Sequence, residues 1–157
     1  MVDLSRRDVL QTAAFVVVIN AFGALPAGVF GADTGWFERP ALFPPEILFP
    51  IVWTVLFTLM GVALSIVWRR GTNRSDVRLA LGTFIVQFAF NLAWTPAFFG
   101  LQSPGLGLAV IGALWIAIIA TIVAFDRVDR RAAALLVPYL LWVSFAGVLN
   151  YTIYISG

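Results

Sequence analysis

Amide, hydroxyl and aromatic side chains share one face of the stretch from Gln87 to Phe99, which lies inside a long apolar segment. Helical spacing of three and four residues brings five of them together: Gln87, Asn91, Trp94, Thr95 and Phe98. Flat apolar surfaces with a few hydrogen-bonding groups suit the burial of a flat, apolar ligand. The opposite side carries small residues four apart, which let another helix approach closely in a membrane: Ala89, Ala93 and Ala97.

Two other apolar segments carry faces of the same kind. One has an aromatic stripe, which core packing alone would also explain: Phe49, Trp53, Phe57 and Met60. The other has Tyr139, Trp142, Ala146 and Asn150. Asparagine is costly in a bilayer unless it is hydrogen-bonded, so we expect Asn91 and Asn150 to face the interior. There they would serve either as ligand contacts or as ties between helices.

The residue types that the chain lacks exclude several kinds of site. The 157 residues include no His and no Cys, which excludes imidazole and thiolate metal sites, thiol nucleophiles and the commonest haem ligands. We therefore predict no metal site and no required cofactor. Acidic residues fall in loops or at segment ends, and this disfavours proton- or ion-coupled transport, which usually needs ionisable groups inside the membrane.

Composition identifies the class of protein that must position these faces. Hydrophobic residues make up 61% of the chain and charged residues 11%, with a mean hydropathy of +0.96. These values indicate an integral membrane protein, and no nucleic acid is expected as a partner. Segments long enough to cross a bilayer predict an all-α bundle of five transmembrane helices in a single domain, near residues 9–30, 46–68, 77–100, 104–125 and 132–155.

All ten basic residues are arginines, and their distribution predicts the orientation in the membrane. With five spans, nine of them fall on one side and only Arg39 on the other, so the positive-inside rule predicts a cytoplasmic N-terminus and an outside C-terminus. The first segment has a rival interpretation. Ser5-Arg6-Arg7 before an apolar run resembles a twin-arginine export signal, with a cleavage point near Ala21–Gly23.

The connection between the first two spans, residues 31–45, is the longest on its side, and we call it the lid loop. It contains Trp36 and Phe37 and ends in Pro44-Pro45. Loops of this length often cover binding sites, whereas Trp also favours the depth of lipid headgroups. A binding lid and an interfacial aromatic belt are both open, and they are compatible.

Three stretches resemble the translocator protein family, also called tryptophan-rich sensory proteins. The third-helix motif of that family is similar to Asn91-Leu92-Ala93-Trp94-Thr95 with Phe98-Phe99. The fifth-helix motif is similar to Pro138-Tyr139-Leu140-Leu141-Trp142-Val143-Ser144-Phe145-Ala146 with Leu149-Asn150. The loop and second-helix pattern is similar to Pro40, Pro44-Pro45, Phe49, Val52-Trp53 and Met60-Gly61.

The resemblance implies a five-helix bundle, often a homodimer, with a pocket under the first loop that accepts porphyrins, haem and other flat apolar molecules. Carried over by position, the pocket would be lined by Trp53, Asn91, Trp94, Tyr139, Trp142 and Ala146, with Trp36 and Phe37 in the lid. After Tyr151 and Tyr154 no Lys or Arg follows, so the sterol motif proposed for some members is incomplete and sterol specificity is not predicted.

The resemblance leaves three kinds of activity open. The protein would bind tetrapyrroles and transport them or sense them in stress regulation. Alternatively, it would be an enzyme that degrades bound porphyrin in light, with Trp142 as the redox-active residue. A third possibility is a regulatory membrane scaffold whose contacts with a partner change with ligand occupancy.

Overall fold

The computed structural model describes residues 3–157, and this part of the chain contains helices and their connections but no strand. The helices are α1 (Arg6–Phe30), α2 (Leu48–Trp68), α3 (Ser75–Thr95), α4 (Pro104–Val128), α5 (Arg130–Leu135) and α6 (Val137–Ser156). A π-helical turn, Pro96–Gly100, extends α3, and α5 and α6 follow one another as a single span. Five spans are long and apolar enough to cross a membrane, so the predicted five-helix class is confirmed.

Local chemistry accounts for several helix ends. Ser5 begins α1 with a capping box, because its hydroxyl accepts from the Asp8 amide at 3.2 Å while the Asp8 carboxylate accepts from the Ser5 amide at 3.1 Å. Ser103 caps α4 in a similar way, with Pro104 in the first turn. At the end of α3, Pro96 lacks a backbone N–H, and its carbonyl accepts from the Leu101 amide at 2.9 Å.

The helices surround a shared interior. Going round the bundle, the order is α1, α2, the α5–α6 span, α4 and α3, and α3 also reaches α2 across the middle. The lid loop and the α3–α4 connection lie at one end, which we call the lid end. The α2–α3 connection and the α4–α5 junction lie at the other, which we call the arginine end. Side chains on α2, α3 and α6 can therefore meet inside the bundle.

A buried carboxylate holds the arginine end together. Asp129 joins α4 to α5 and accepts hydrogen bonds from Arg70, in the α2–α3 connection, and from Arg131. Burial alone would favour protonation, but the hydrogen bonds from the two guanidinium groups outweigh it and hold the pKa of Asp129 well below its ordinary value. These ion pairs join the α2–α3 connection to the α4–α5 junction.

One glycine decides how closely α1 and α2 approach. A Cβ atom added at Gly61 would lie 2.6 Å from the Val16 Cα, on the backbone of α1. Because a backbone atom cannot swing aside as a flexible side chain can, the two helices pack at a distance that only glycine permits. At Gly112 on α4, by contrast, an added Cβ atom would meet no other atom within 4 Å.

We expect Gly61→Ala to destabilise the protein and Gly112→Ala to leave it unchanged or stabilise it. Replacing a helical glycine by alanine contributes up to about 1 kcal/mol from helix propensity, whereas overpacking costs about 1–3 kcal/mol. Unfolding in mixed micelles with increasing dodecyl sulfate measures both variants against the wild type. Equal stability of the two variants would show that the α1–α2 contact relaxes freely.

Candidate functional site

A hydrogen-bonded group of three side chains crosses the interior between α3 and α6. Asn91 Nδ2 donates to the Tyr139 hydroxyl at 2.8 Å, and that hydroxyl donates to Gln87 Oε1 at 2.8 Å. Gln87 and Tyr139 are each 1% exposed and Asn91 is 9% exposed. We call these three residues the polar core. These hydrogen bonds pair polar groups that would have no partner in the apolar part of a bilayer if either helix stood alone.

The polar core is incomplete by one group. Gln87 Nε2 is buried and has no hydrogen-bond partner among the described residues. Exchanging the amide oxygen and nitrogen would leave the oxygen unpaired instead, so in either orientation Gln87 keeps one hydrogen-bonding atom without a protein partner. An unpaired buried polar group is costly, and a bound molecule could satisfy it.

Aromatic rings wall the polar core on the α2 side. Trp53 packs edge-to-face on Tyr139, with ring centroids 6.2 Å apart, and Phe57 lies 5.3 Å from Trp53. Spacing of four residues puts Trp53 and Phe57 on the same side of α2, as the sequence predicted for that stripe. The interior thus combines an indole surface with the amide and phenol groups of the polar core.

Asn150 belongs to a separate tie between helices. Its Oδ1 accepts from Trp94 Nε1 at 3.0 Å, and its Nδ2 donates to the Pro104 carbonyl at 2.8 Å. Asn150 is 1% exposed, so both asparagines lie inside the bundle as expected. Both amides tie helices together: α3 and α4 use Asn150 on both sides, and Asn91 joins α3 to α6 through Tyr139. A ligand contact of Asn91 stays a prediction.

The lid loop closes onto α3 through one phenylalanine. Phe98, in the π-helical turn, lies 5.1 Å from Trp36, 5.6 Å from Phe37 and 4.8 Å from Trp94 between ring centroids, and it stacks on Trp94. The hydroxyl of Thr34 donates to Glu46 at 2.7 Å, and Arg39 bonds both of them. The loop is therefore fastened at both of its ends.

Trp142 lies at the contact between α6 and α2. It packs against Phe49 at 5.9 Å and Phe145 at 5.5 Å, and it lines an open apolar groove of about 470 Å³ between α2 and α6. Its indole Nε1 is buried without a partner among residues 3–157. Ala146, one turn further along, is half-buried against the core.

The eight side chains expected in the site therefore form three neighbouring groups. Trp53, Asn91 and Tyr139 meet at the polar core; Trp94, Trp36 and Phe37 meet at Phe98; Trp142 and Ala146 lie about one turn apart on α6, where Trp142 borders the groove between α2 and α6. Gln87 and Phe98 were noted on the α3 face but were not expected as site residues. The sequence could have identified Gln87 as a site residue, because it lies one helical turn before Asn91 on the same face.

The alanines of α3 are not equivalent. Ala97 is buried within its own bundle, Ala93 is half-buried and Ala89 is exposed. Only the first part of this stripe is open to a second copy of the chain, and the homodimer stays a prediction.

The fold and the site define a class: a small membrane protein of five helices with tryptophans and amides in its interior and an aromatic loop over one end. The chain belongs to the TspO/MBR family, whose model matches residues 13–155. It is 50% identical to the tryptophan-rich protein TspO of Chlorobaculum tepidum, covering 94% of this chain and 96% of the relative. It is 36% identical to the tryptophan-rich sensory protein of Cereibacter sphaeroides, with 90% of each chain covered, and 32% identical to the translocator protein of Sus scrofa, with 92% and 89% covered.

We expect Tyr139→Phe to destabilise the bundle by about 1–2 kcal/mol, because it leaves Asn91 Nδ2 and Gln87 Oε1 without their shared partner. Tyr151→Phe is the matched control, since Tyr151 lies on the same helix and is 53% exposed. Unfolding free energies from dodecyl sulfate titration compare the two variants. A loss no larger for Tyr139→Phe than for Tyr151→Phe would mean that the polar core contributes nothing to stability.

Proposed function

We propose that this protein binds porphyrin or haem-type tetrapyrroles, and similar flat apolar molecules, inside the bundle. The observation that carries the proposal is the polar core with its unpaired Gln87 atom, next to the Trp53 ring. A porphyrin offers a wide apolar plane for stacking on an indole and ring nitrogens or carboxylates for a few hydrogen bonds. The groups around the polar core match both features.

The residue types support recognition of the tetrapyrrole ring rather than of its metal. The chain has no His and no Cys, the side chains that most often hold haem iron. Iron would add nothing to such binding, and metal-free porphyrin should bind about as well as haem. The names of the relatives, translocator protein and tryptophan-rich sensory protein, are consistent with a bound molecule that is then transported or sensed.

Quenching of tryptophan fluorescence by protoporphyrin in the dark tests the proposal. We expect saturable quenching at micromolar porphyrin, and binding about fivefold weaker in Gln87→Leu, which loses roughly 1 kcal/mol of hydrogen bonding. Trp53→Phe should also weaken binding because it removes stacking area. Trp68→Phe is the control, because Trp68 lies at the arginine end of α2 and is 42% exposed.

Two controls separate a pocket from partition into the detergent. Circular dichroism and monodisperse elution show that each variant is folded before it is titrated. Haem, titrated alongside, should bind within a few fold of the metal-free porphyrin. Quenching that does not saturate and is the same in all variants would refute a binding pocket. A Soret spectrum that shows axial ligation of the haem iron would refute the claim that the protein recognises the tetrapyrrole ring and not its metal.

We also propose that the arginine end faces the cytoplasm and the lid end faces outward. Nine of the ten arginines belong to segments at the arginine end, and positive charge is retained on the cytoplasmic side during insertion. The lid end carries three carboxylates, Asp33, Glu38 and Glu46, against the single guanidinium of Arg39. This charge asymmetry supports a cytoplasmic N-terminus.

Single cysteines test the orientation cleanly, because the chain has none of its own. We expect a membrane-impermeant maleimide to label Ala41→Cys, in the lid loop, in intact cells and to leave Thr72→Cys, in the α2–α3 connection, unlabelled. Both positions are exposed, so accessibility alone does not distinguish them. Inverted vesicles should give the opposite pattern. Labelling of Thr72→Cys alone in intact cells would reverse the assignment.

A further inference from the structure

A second cavity lies at the lid end, apart from the polar core. It has a volume of about 570 Å³, is partly open to the outside and is bordered by the lid loop, the start of α4 and the end of α6. Its walls combine aromatic rings with polar groups: Trp36, Phe37 and Tyr154 supply the rings, and Glu38 and Ser103 supply oxygen atoms. Neither the polar core nor Trp53 borders this space.

Glu38 supplies a carboxylate to this cavity, and its neighbour in sequence, Arg39, does not neutralise it. Arg39 points elsewhere: it pairs with Glu46 at 2.5 Å, bonds Thr34 at 2.5 Å and lies over the Phe43 ring at 5.5 Å. None of the ion pairs among the described residues includes Glu38. A negative charge without a protein partner therefore lines the cavity.

Aromatic rings from the lid loop and from α6 border the same space. Trp36 and Phe37 pack with ring centroids 4.9 Å apart and planes at 78°, so their faces are nearly perpendicular. Tyr154 reaches the cavity from α6, and its ring lies 3.2 Å from where a Cβ at Gly105 would stand. Gly105 thus gives the tyrosine room at the start of α4. Rings that meet at an angle around a carboxylate form the arrangement that attracts organic cations.

We propose that this cavity binds an organic ammonium group, held by the rings of Trp36, Phe37 and Tyr154 and by the Glu38 carboxylate. The ring faces favour a weakly hydrated cation with an apolar surface, such as a trimethylammonium group. Bare metal ions are disfavoured because Ca²⁺ and Mg²⁺ need six or more oxygen ligands, whereas this lining is largely aromatic. The ammonium group would come either from a lipid headgroup at the membrane surface or from a free amine.

Choline is the probe, and saturation-transfer NMR of its methyl protons is the measurement, with the protein in nanodiscs of phosphatidylglycerol. We expect saturable binding in the millimolar range, because cation–π contacts at partly exposed sites are individually weak. Glu38→Gln and Tyr154→Leu should each weaken choline binding about tenfold. The neutral carbon isostere of choline, in which a tert-butyl group replaces trimethylammonium, should bind far more weakly than choline.

Asp33→Asn is the matched control. It removes one negative charge from the same loop without touching the cavity, and asparagine can still accept the hydrogen bond that Asp33 receives from the Gly35 amide. Choline binding unchanged in Asp33→Asn but lost in Glu38→Gln supports a specific site. Equal losses in both variants, or equal binding of choline and its neutral isostere, would overturn the proposal. All variants should quench with protoporphyrin as the wild type does, which verifies that they are folded.

The two sources of the ammonium group are separated by the lipid. If headgroups fill the cavity, free choline should bind more weakly in phosphatidylcholine nanodiscs than in phosphatidylglycerol nanodiscs. If a free amine is the ligand, the two affinities should agree. Both outcomes support the site and differ only in its occupant, whereas no saturable choline binding in either lipid overturns it.

Discussion

A polar group in the middle of a bilayer is costly unless it finds a hydrogen-bond partner, and this constraint shapes the bundle. The chain has few such groups at that depth, and they occur in small sets that tie pairs of helices. Gln87, Asn91 and Tyr139 join α3 to α6, and Asn150 joins α6 to α3 and α4. Because lipid gives helices no hydrophobic reason to associate, these bonds and close packing at glycines fix the arrangement.

Most of the fold could be predicted from the sequence, because the signal for a transmembrane helix is strong. Long apolar runs and the arginine positions define five spans, and the structure has five. The finer features depend on single residues in context. Pro96 converts the end of α3 into a π-helical turn, and the last span is interrupted at Leu136, near Pro138. Neither irregularity changes the hydrophobic pattern, so a pattern alone does not reveal it.

The candidate site was harder to predict, because a shared helical face does not say which neighbouring helix it meets. Trp53, Asn91 and Tyr139 do come together. Trp142 shares a face with Tyr139 in the sequence, yet it contacts Phe49 and borders the groove between α2 and α6. From the sequence, both Asn91 and Asn150 were expected to face the interior, and only the structure shows which partners each of them has. Gln87 became important because its amide has one more polar atom than the protein can pair.

Three buried polar groups without a protein partner bear on recognition. Among the described residues they are the Trp36 indole in the lid loop, the Trp142 indole and one atom of the Gln87 amide, which is the nitrogen in the orientation shown. Trp142 and Gln87 lie on α6 and α3, so a molecule entering the bundle gains if it pairs these groups while burying an apolar frame. The lid end differs, because the Glu38 carboxylate makes no ion pair among the described residues and, with the rings beside it, would favour a cation. One short chain thus presents two environments with different preferences: an apolar interior with a few unpaired polar atoms, and a lid end with aromatic rings and a carboxylate.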